Sequence, residues 1–345
     1  MFNNKIKNAL FCKSVEVAEE MSLEALKNLE NRFESICSRE VAALDRVNAA
    51  LMAGAYEYFL GNGFVWVETP MLTRVTGSCE NVDTLYSVQH FGTQAYLPQT
   101  GQLYLEAKIP LHDKVWTVMT SSRAEPCTDH RHLNQFSLVE FERRGDFSVL
   151  LPTIEGVVKS MVSSAVKKCG DELNSFNSSA KECLKGGFAR MTYEKAVGKL
   201  GLEWGDDFKH EHELALVNEA GRPLFITHYP QEIKFFNMRL NREDDRVVNS
   251  ADLIMPFSGE SAGSAEREDD YDILVKRLKQ SRMFSILSQR GVSINEFNDY
   301  LNLVRNHRLL HCGAGIGFNR VSQSVLGLES IRQATNYPVT AQSLY

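Results

Sequence analysis

The segment that most restricts the fold is LLHCGAGIGFNRVSQSVLGL, residues 309–328, where a strand with glycine at every second position runs into a helical pattern. Because Gly313, Gly315 and Gly317 alternate, they fall on one face of the strand, and taken alone they read as an allowance for close backbone packing. The run is not a P-loop, since no Gly-Lys-Ser/Thr follows and the cation after it is Arg320. Nor is it a dinucleotide fingerprint, whose glycines shape a turn between strand and helix.

Elsewhere the periodicity separates helices from strands. From Cys37, the residues Val41, Leu44, Val47, Leu51, Ala55 and Tyr58/Phe59 recur at helical spacing, and Gly61 and Gly63 follow as stop signals. FVWVETP then runs β-branched and aromatic residues into Pro70, as a strand closed by proline does. TQAYLP, KVWTVMTSS, FSLVEFERR, LFITHYP, KFFNMRL and ADLIMPF are further strand-like runs, whereas about 150–217 reads as mainly helical and polar. Residues 14–36 are rich in helix formers, so 1–36 is expected to be a helical N-terminal extension. The pattern is α+β, a mostly antiparallel sheet flanked by helices.

Composition narrows the setting. With 43% hydrophobic and 24% charged residues, 345 residues can bury a substantial core. No apolar run approaches the ~20 residues of a membrane helix, and the start lacks a secretory pattern, so a cytoplasmic protein without a membrane partner is expected. Seven scattered cysteines with no C-x-x-C pair argue for reduced, buried thiols rather than disulfides or a zinc knuckle. A net charge of −6 weighs against a surface devoted to gripping nucleic acid.

Taken in order, the segments say more than any one of them. FVWVETP with its preceding helix, SSRAE followed by RHLNQFSLVEFE, and GAGIGFNR resemble motifs 1, 2 and 3 of the class II aminoacyl-tRNA synthetases. Between them, TGQLYLEA is similar to that family's SGQLYLE. Likewise LFITHYPQEIKFFNMRLN is similar to VTDYPKDIKAFYMRLN, and ADLIMPFSGESAGSAERE to MDVLVPGIGEIIGGSQRE. The resemblance runs from about Cys37 to Val339 and is to the asparaginyl and aspartyl enzymes of subclass IIb and their paralogues. It implies a class II synthetase fold, with a catalytic domain over 37–345 that contains the helical insertion at about 150–217. It also implies adenylation, in which a carboxylate attacks the α-phosphate of ATP and pyrophosphate leaves.

Charge repulsion and positioning dominate the barrier to that reaction, so cations and fixed donors should crowd the site. The resemblance assigns Arg123 to bridging the reacting carboxylate and the α-phosphate, and Arg320 to the far end of ATP. Phe136 is implied to stack on adenine, with the base held between a π-face and a guanidinium. Glu125 is implied near the adenine, and Arg131 and His132 at the tail phosphates. Outside the motifs, Phe136 reads as a core aromatic and Arg131 as a solvated loop charge. Asp252 and Glu260 match carboxylates that hold Mg²⁺ against the triphosphate, oxygen donors suited to a hard cation; otherwise they are two solvent-facing strand ends. Glu80 and Gln102 match the groups that hold the substrate ammonium, or else serve as turn and helix-start polarity. Leu105 stands where aspartyl enzymes carry lysine and Glu140 where they carry aspartate, while Arg267 falls on the arginine that grips the far end of the substrate. The side-chain pocket is asparaginyl in outline.

Departures cluster near the ligand. Asn319 replaces an acidic residue, Gln135 a glutamate, Asn237 a tyrosine and Ser122 a phenylalanine; Ser264-Ala265-Glu266 stands for Gly-Ser-Gln, and IRQATNYPV lacks the acidic residue and final arginine of IRDVIPFPR. Residues 1–36 are too few for the family's anticodon-reading barrel of about 100 residues, so tRNA is an unlikely partner. The expectation is a homodimeric, ATP- and Mg²⁺-dependent enzyme that activates aspartate or asparagine, foremost as an ammonia-dependent asparagine synthetase. The alternatives are a paralogue loading a protein, carrier or metabolite, a truncated asparaginyl-tRNA synthetase, and a non-enzymatic regulatory subunit. The survival of Arg123, Arg320, Asp252 and Glu260 argues against the last. In an asparagine synthetase, aspartate lies reversed, its β-carboxyl at Arg123, its α-carboxylate at Arg267 and its ammonium facing Glu140. Glu266 is then a second carboxylate for that ammonium, unless it is a solvated charge of the EREDD run.

Overall fold

The glycine-bearing run becomes a strand, His311–Gly317, in the middle of an eight-stranded sheet. This computed structural model describes residues 24–27, 32–74, 82–126 and 129–344. Along the chain the strands are β1 (Val65–Trp66), β2 (Ser87–His90), β3 (Thr93–Tyr96), β4 (Lys114–Ser122), β5 (Gln135–Arg144), β6 (Ala189–Thr192), β7 (Leu224–Thr227), β8 (Ser250–Met255), β9 (Gly259–Glu266) and β10 (His311–Gly317). The large sheet runs β1-β4-β5-β10-β9-β8-β7-β6, antiparallel except at its two ends, where β1 pairs with β4 and β6 with β7 in parallel. The expected α+β class II architecture is therefore present, while β2 and β3 form a separate hairpin turned at Phe91-Gly92, both at positive φ.

One face of the sheet is covered by two long helices, Arg39–Gly61 and Phe147–Lys168. Ser38 caps the first by accepting from the Val41 amide, and the expected stop falls at Gly61-Asn62-Gly63. Its apolar stripe, Val41, Leu44, Val47, Leu51 and Phe59, is fully buried, with the Phe59 ring stacked 4.5 Å from that of Trp116 on β4. The second helix was read as polar, yet it is apolar and long enough to cross a membrane. Leu150, Ile154, Val157, Val158, Met161 and Val162 are instead spent on the core shared with the first helix.

Three further differences follow, the first two with simple causes. β6 lies inside the stretch read as helical, a four-residue edge strand too short to carry a periodic signal. KFFNMRL forms no strand, only the single bridges Met238–Arg267 and Leu240–Val248, because β8 already has β7 on one side and β9 on the other. Of the described cysteines, Cys169, Cys183 and Cys312 are buried as expected, but Cys37 is exposed.

Candidate active site

The other face of the sheet carries a cavity of about 260 Å³. Its floor follows from cross-strand register: Gly313 lies opposite Glu142 and Gly315 opposite Glu140. A Cβ at Gly313 would stand 2.1 Å from Glu142 Oε1, and one at Gly315 would stand 3.5 Å from Glu140 Oε1. The glycines thus make room for two carboxylates that cross from β5. Phe136, Leu138, Glu140 and Glu142 share this face by the two-residue period of the strand.

A β-bulge settles the next pair. Asp252 pairs with Gly263 and Leu253 with Ala262, but Ile254 pairs with Glu260, leaving Ser261 as the extra residue. The added residue reverses the alternation and returns Glu260 to the face of Asp252. A Cβ on Gly263 would be 3.6 Å from Glu260 Oε1 and 3.8 Å from Asp252 Oδ1, so both carboxylates flank one glycine. Lys234 Nζ sits 2.6 Å from Asp252 Oδ2 and 4.0 Å from the centre of the Tyr229 ring. Burial, and then Glu260, push the Asp252 carboxyl up to about 6 against the pull of Lys234. Two close carboxylates fit Mg²⁺, which takes one or two such ligands and completes its shell with water and phosphate. Among the described residues no larger cluster of His, Cys, Asp or Glu could cage a metal.

Cations line the outer part. Arg123 follows β4, its amide bonded to the Asn134 carbonyl at 2.8 Å while the Asn134 side chain donates back to the carbonyls of Arg123 and Glu125. Its guanidinium lies 4.9 Å over the Phe136 ring and 4.0 Å from Glu125. Arg123 thus faces the Phe136 ring. Arg320 donates to the carbonyls of Ser258, Glu260 and Arg131 at 3.3, 2.8 and 3.3 Å. Burial, and the neighbouring Arg131 and Arg123, hold its pKa below the ordinary value despite Glu260 and Glu213. Arg131 is 4.0 Å from Glu213, and His132 is pinned by Asp129 at 2.7 Å. Three guanidiniums in one cleft form a focused positive field suited to a polyanion.

At the inner end, Glu140 accepts from the Thr100 hydroxyl and, at 2.7 Å, from the Gly101 amide. Burial pushes its carboxyl up to about 7, helped by Glu142 and opposed by these two donors. Arg267 binds Glu142 through Nη2 at 2.5 Å and Nε at 3.1 Å, and lies 3.8 Å from Glu106. Gln102 lines the same end, with Leu105 where a lysine was noted to be missing.

Of the residues singled out in the sequence, Arg123, Glu125, Arg131, His132, Phe136, Arg320, Gln102, Glu140, Arg267, Asp252 and Glu260 all line this one cavity. Glu80 lies outside the described residues. Glu266 does not belong: Arg267 next to it points into the cavity, so strand alternation turns Glu266 to the opposite face. There it accepts from the Phe147 amide at 2.9 Å, capping the long helix, and pairs with Arg239 at 3.2 Å. Asn319, a departure, is structural, accepting from the Ser137 amide at 3.0 Å. Sequence reasoning missed Glu142, Glu106 and Lys234; the spacing of Glu140 and Glu142, two apart on a strand, was the one available signal for the first.

The family model of tRNA synthetases class II (D, K and N) matches residues 24–341. The chain belongs to this family. Among curated relatives it is similar to asparagine–tRNA ligases of Thermococcus kodakarensis and Pyrococcus abyssi. It is 35% identical to each, over 92% and 96% of this chain and 73% and 75% of theirs. Among solved structures it resembles Pyrococcus horikoshii asparaginyl-tRNA synthetase complexed with asparaginyl-adenylate, with a TM-score of 0.85 and 33% identity over 96% of this chain and 75% of that one. As a member, the chain is an ATP-dependent ligase by family. The expectation that tRNA is an unlikely partner finds no support in relatives that are named as tRNA ligases.

Proposed function

We propose that this chain activates asparagine as its adenylate, using ATP and Mg²⁺ in the cavity described. The observation that carries this reading is the inner end, where two buried carboxylates, Glu140 and Glu142, stand beside a single arginine and Leu105 supplies no second cation. A carboxamide suits it, its NH₂ donating to Glu140 and its oxygen accepting from Arg267. The side-chain carboxylate of aspartate in the same pose meets two acceptor-rich acidic groups and an arginine already paired. The α-carboxylate then lies toward Arg123, which neutralises charge on the α-phosphate as the acyl–phosphate bond forms and pyrophosphate departs toward Arg131, His132 and Arg320. Asp252 and Glu260 would hold Mg²⁺, which when bound would supply positive charge against the triphosphate.

The same acidity favours a second reading, ammonia-dependent asparagine synthesis. Reversed aspartate places its ammonium against Glu140 and Glu142 and its α-carboxylate at Arg267, so that the β-carboxyl is adenylated; ammonia then attacks the β-carbonyl and AMP leaves. The second carboxylate for that ammonium is Glu142, not Glu266. The acceptor after activation, tRNA or another nucleophile, is a separate question from which end is activated.

Hydroxylamine trapping with ATP and Mg²⁺ distinguishes these. Asparagine should yield its α-hydroxamate; β-aspartyl hydroxamate from aspartate would move the assignment to the second reading, and neither product would overturn both. A second copy of this chain should cover Tyr56, Leu60, Val65, Trp66 and Met71, apolar side chains left exposed at the end of the first long helix and along β1. Sedimentation velocity at micromolar concentration is expected to show a dimer, with Leu60→Glu/Trp66→Glu shifting it to monomer; a monomeric parent counts against this placement.

A further inference from the structure

Behind the inner end of the cavity lies a set of buried polar groups that neither ATP nor the metal pair uses. It joins Glu106, on the short helix Gln102–Glu106, to His311, the first residue of β10, and to Tyr300, on the helix Asn298–His307. Glu106 Oε2 accepts from the Tyr300 hydroxyl at 3.1 Å and lies 3.1 Å from His311 Nε2. Glu106 Oε1 accepts from Gln102 Nε2 at 2.7 Å and faces Arg267 Nε at 3.8 Å. The other ring nitrogen of His311, Nδ1, is 2.7 Å from the Leu309 carbonyl.

These contacts assign the charges. A carbonyl cannot donate, so Nδ1 carries a hydrogen; a carboxylate at Nε2 then requires a second, and a ring with two N–H groups is an imidazolium. The alternative, a neutral ring accepting from protonated Glu106, conflicts with the three other donors around that carboxylate, Gln102, Tyr300 and Arg267, each of which favours the anion. Burial pulls the His311 pKa down, but the hydrogen bond and charge of Glu106, and then Glu142, raise it above its ordinary value. Burial likewise pushes Glu106 up, and His311, Arg267 and Gln102 bring it below. The other ionisable groups near His311 are Arg144, its cross-strand partner on β5, and Glu268, Asp269 and His307, across a cavity of about 20 Å³ on its far side, space for about one water.

We propose that Glu106 and His311 are positioning residues, a buried carboxylate–imidazolium pair that sets the polarity of the amino-acid pocket. Only the NH₂ of Gln102 can donate to Glu106, so its carbonyl oxygen is the end left for the cavity, an acceptor for the donor-bearing end of the substrate. The same carboxylate steadies Arg267 in its two-point contact with Glu142. One buried anion thus orients both an acceptor and a cation at the inner end, and His311 keeps it charged without being able to reach the substrate. The proposal rests on this end of the cavity holding the amino acid.

Two measurements test it, one independent of activity. Selective ¹⁵N-histidine NMR of the intact chain, with His311→Gln identifying the resonance, should show both ring nitrogens of His311 protonated at pH 8 and one after Glu106→Gln. A neutral ring in the parent overturns the pair whether or not asparagine is a substrate. In pyrophosphate exchange, Glu106→Gln should raise the KM for the amino acid on the order of 10-fold or more, leaving the KM for ATP within about twofold. Tyr300→Phe, which removes one donor and no charge, should give a smaller rise of the same kind. Equal losses for both substrates, or an unchanged amino-acid KM beside an imidazolium His311, would overturn the positioning role. If the parent exchanges with neither asparagine nor aspartate, the proposed activity fails while the NMR result still decides the charge pair.

Discussion

Arg123→Ala is expected to slow pyrophosphate exchange by about 10²-fold or more, with a much smaller change in ATP binding. The side chain leaves a segment braced on both sides, by the Asn134 carbonyl on its amide and by the Asn134 amide on two carbonyls, so its position costs nothing to assemble when the substrates arrive. It stands over Phe136 and near Glu125, inside the cleft before the substrates arrive. Arg320, anchored to three backbone carbonyls, is a second fixed cation. Charge that develops at the α-phosphate is stabilised most by a donor already in place, and mutational losses of one such donor run about 10²–10³ in rate. Arg123→Lys should recover part of the loss, since it restores the charge but not the planar fork. Exchange by Arg123→Ala at the parental rate would displace the active site from this cavity.

Arg267→Met should cost about 3–5 kcal/mol of stability, because it leaves the buried carboxylate of Glu142 without its cation, while Glu106 keeps His311. The loss should depend on pH in a definite direction. Even with the arginine present, burial pushes Glu142 up to about 6, above its unfolded value. Without it, Glu142 binds a proton in the folded state at pH values where the unfolded chain has released it. Folded stability of the variant then falls as pH rises from about 5 through neutrality, relative to the parent, because the folded form holds more protons than the unfolded one. Denaturant unfolding at pH 5 and pH 8 measures this; a gap between parent and variant that is equal at both, or larger at pH 5, contradicts the assigned charges. Amino-acid activation by the variant should be lost together with the far-end contact.

The outer part of the cavity could be read from the sequence and the inner part only in outline, for physical reasons. Arg123, Arg131, His132, Phe136 and Arg320 belong to contiguous motifs, so the strand–loop–strand and strand–helix units that carry them also aim them. Glu260 is aimed by a bulge at Ser261, an event of register that no composition announces. Glu266 and Arg267 were both expected at the substrate, but neighbours along a strand point to opposite faces, and it is Arg267 that lines the cavity. Glu142 and Glu106 went unnoticed since a carboxylate in sequence looks like surface charge, and only burial among donors distinguishes it. KFFNMRL misled in the opposite sense, since Phe236 and Met238 are buried as strand residues would be, but no ladder was open to it.

The glycines of β10 place part of the selectivity of this pocket where there is no functional group at all. A methyl group at position 313 would overlap the Glu142 carboxylate and force it, with Arg267, out of its present place. At 315 the clearance to Glu140 is wide enough for ordinary contact, so the same change there would press on that carboxylate only lightly. A steric change along this one strand can therefore reshape the pocket while every polar residue of the cavity stays the same.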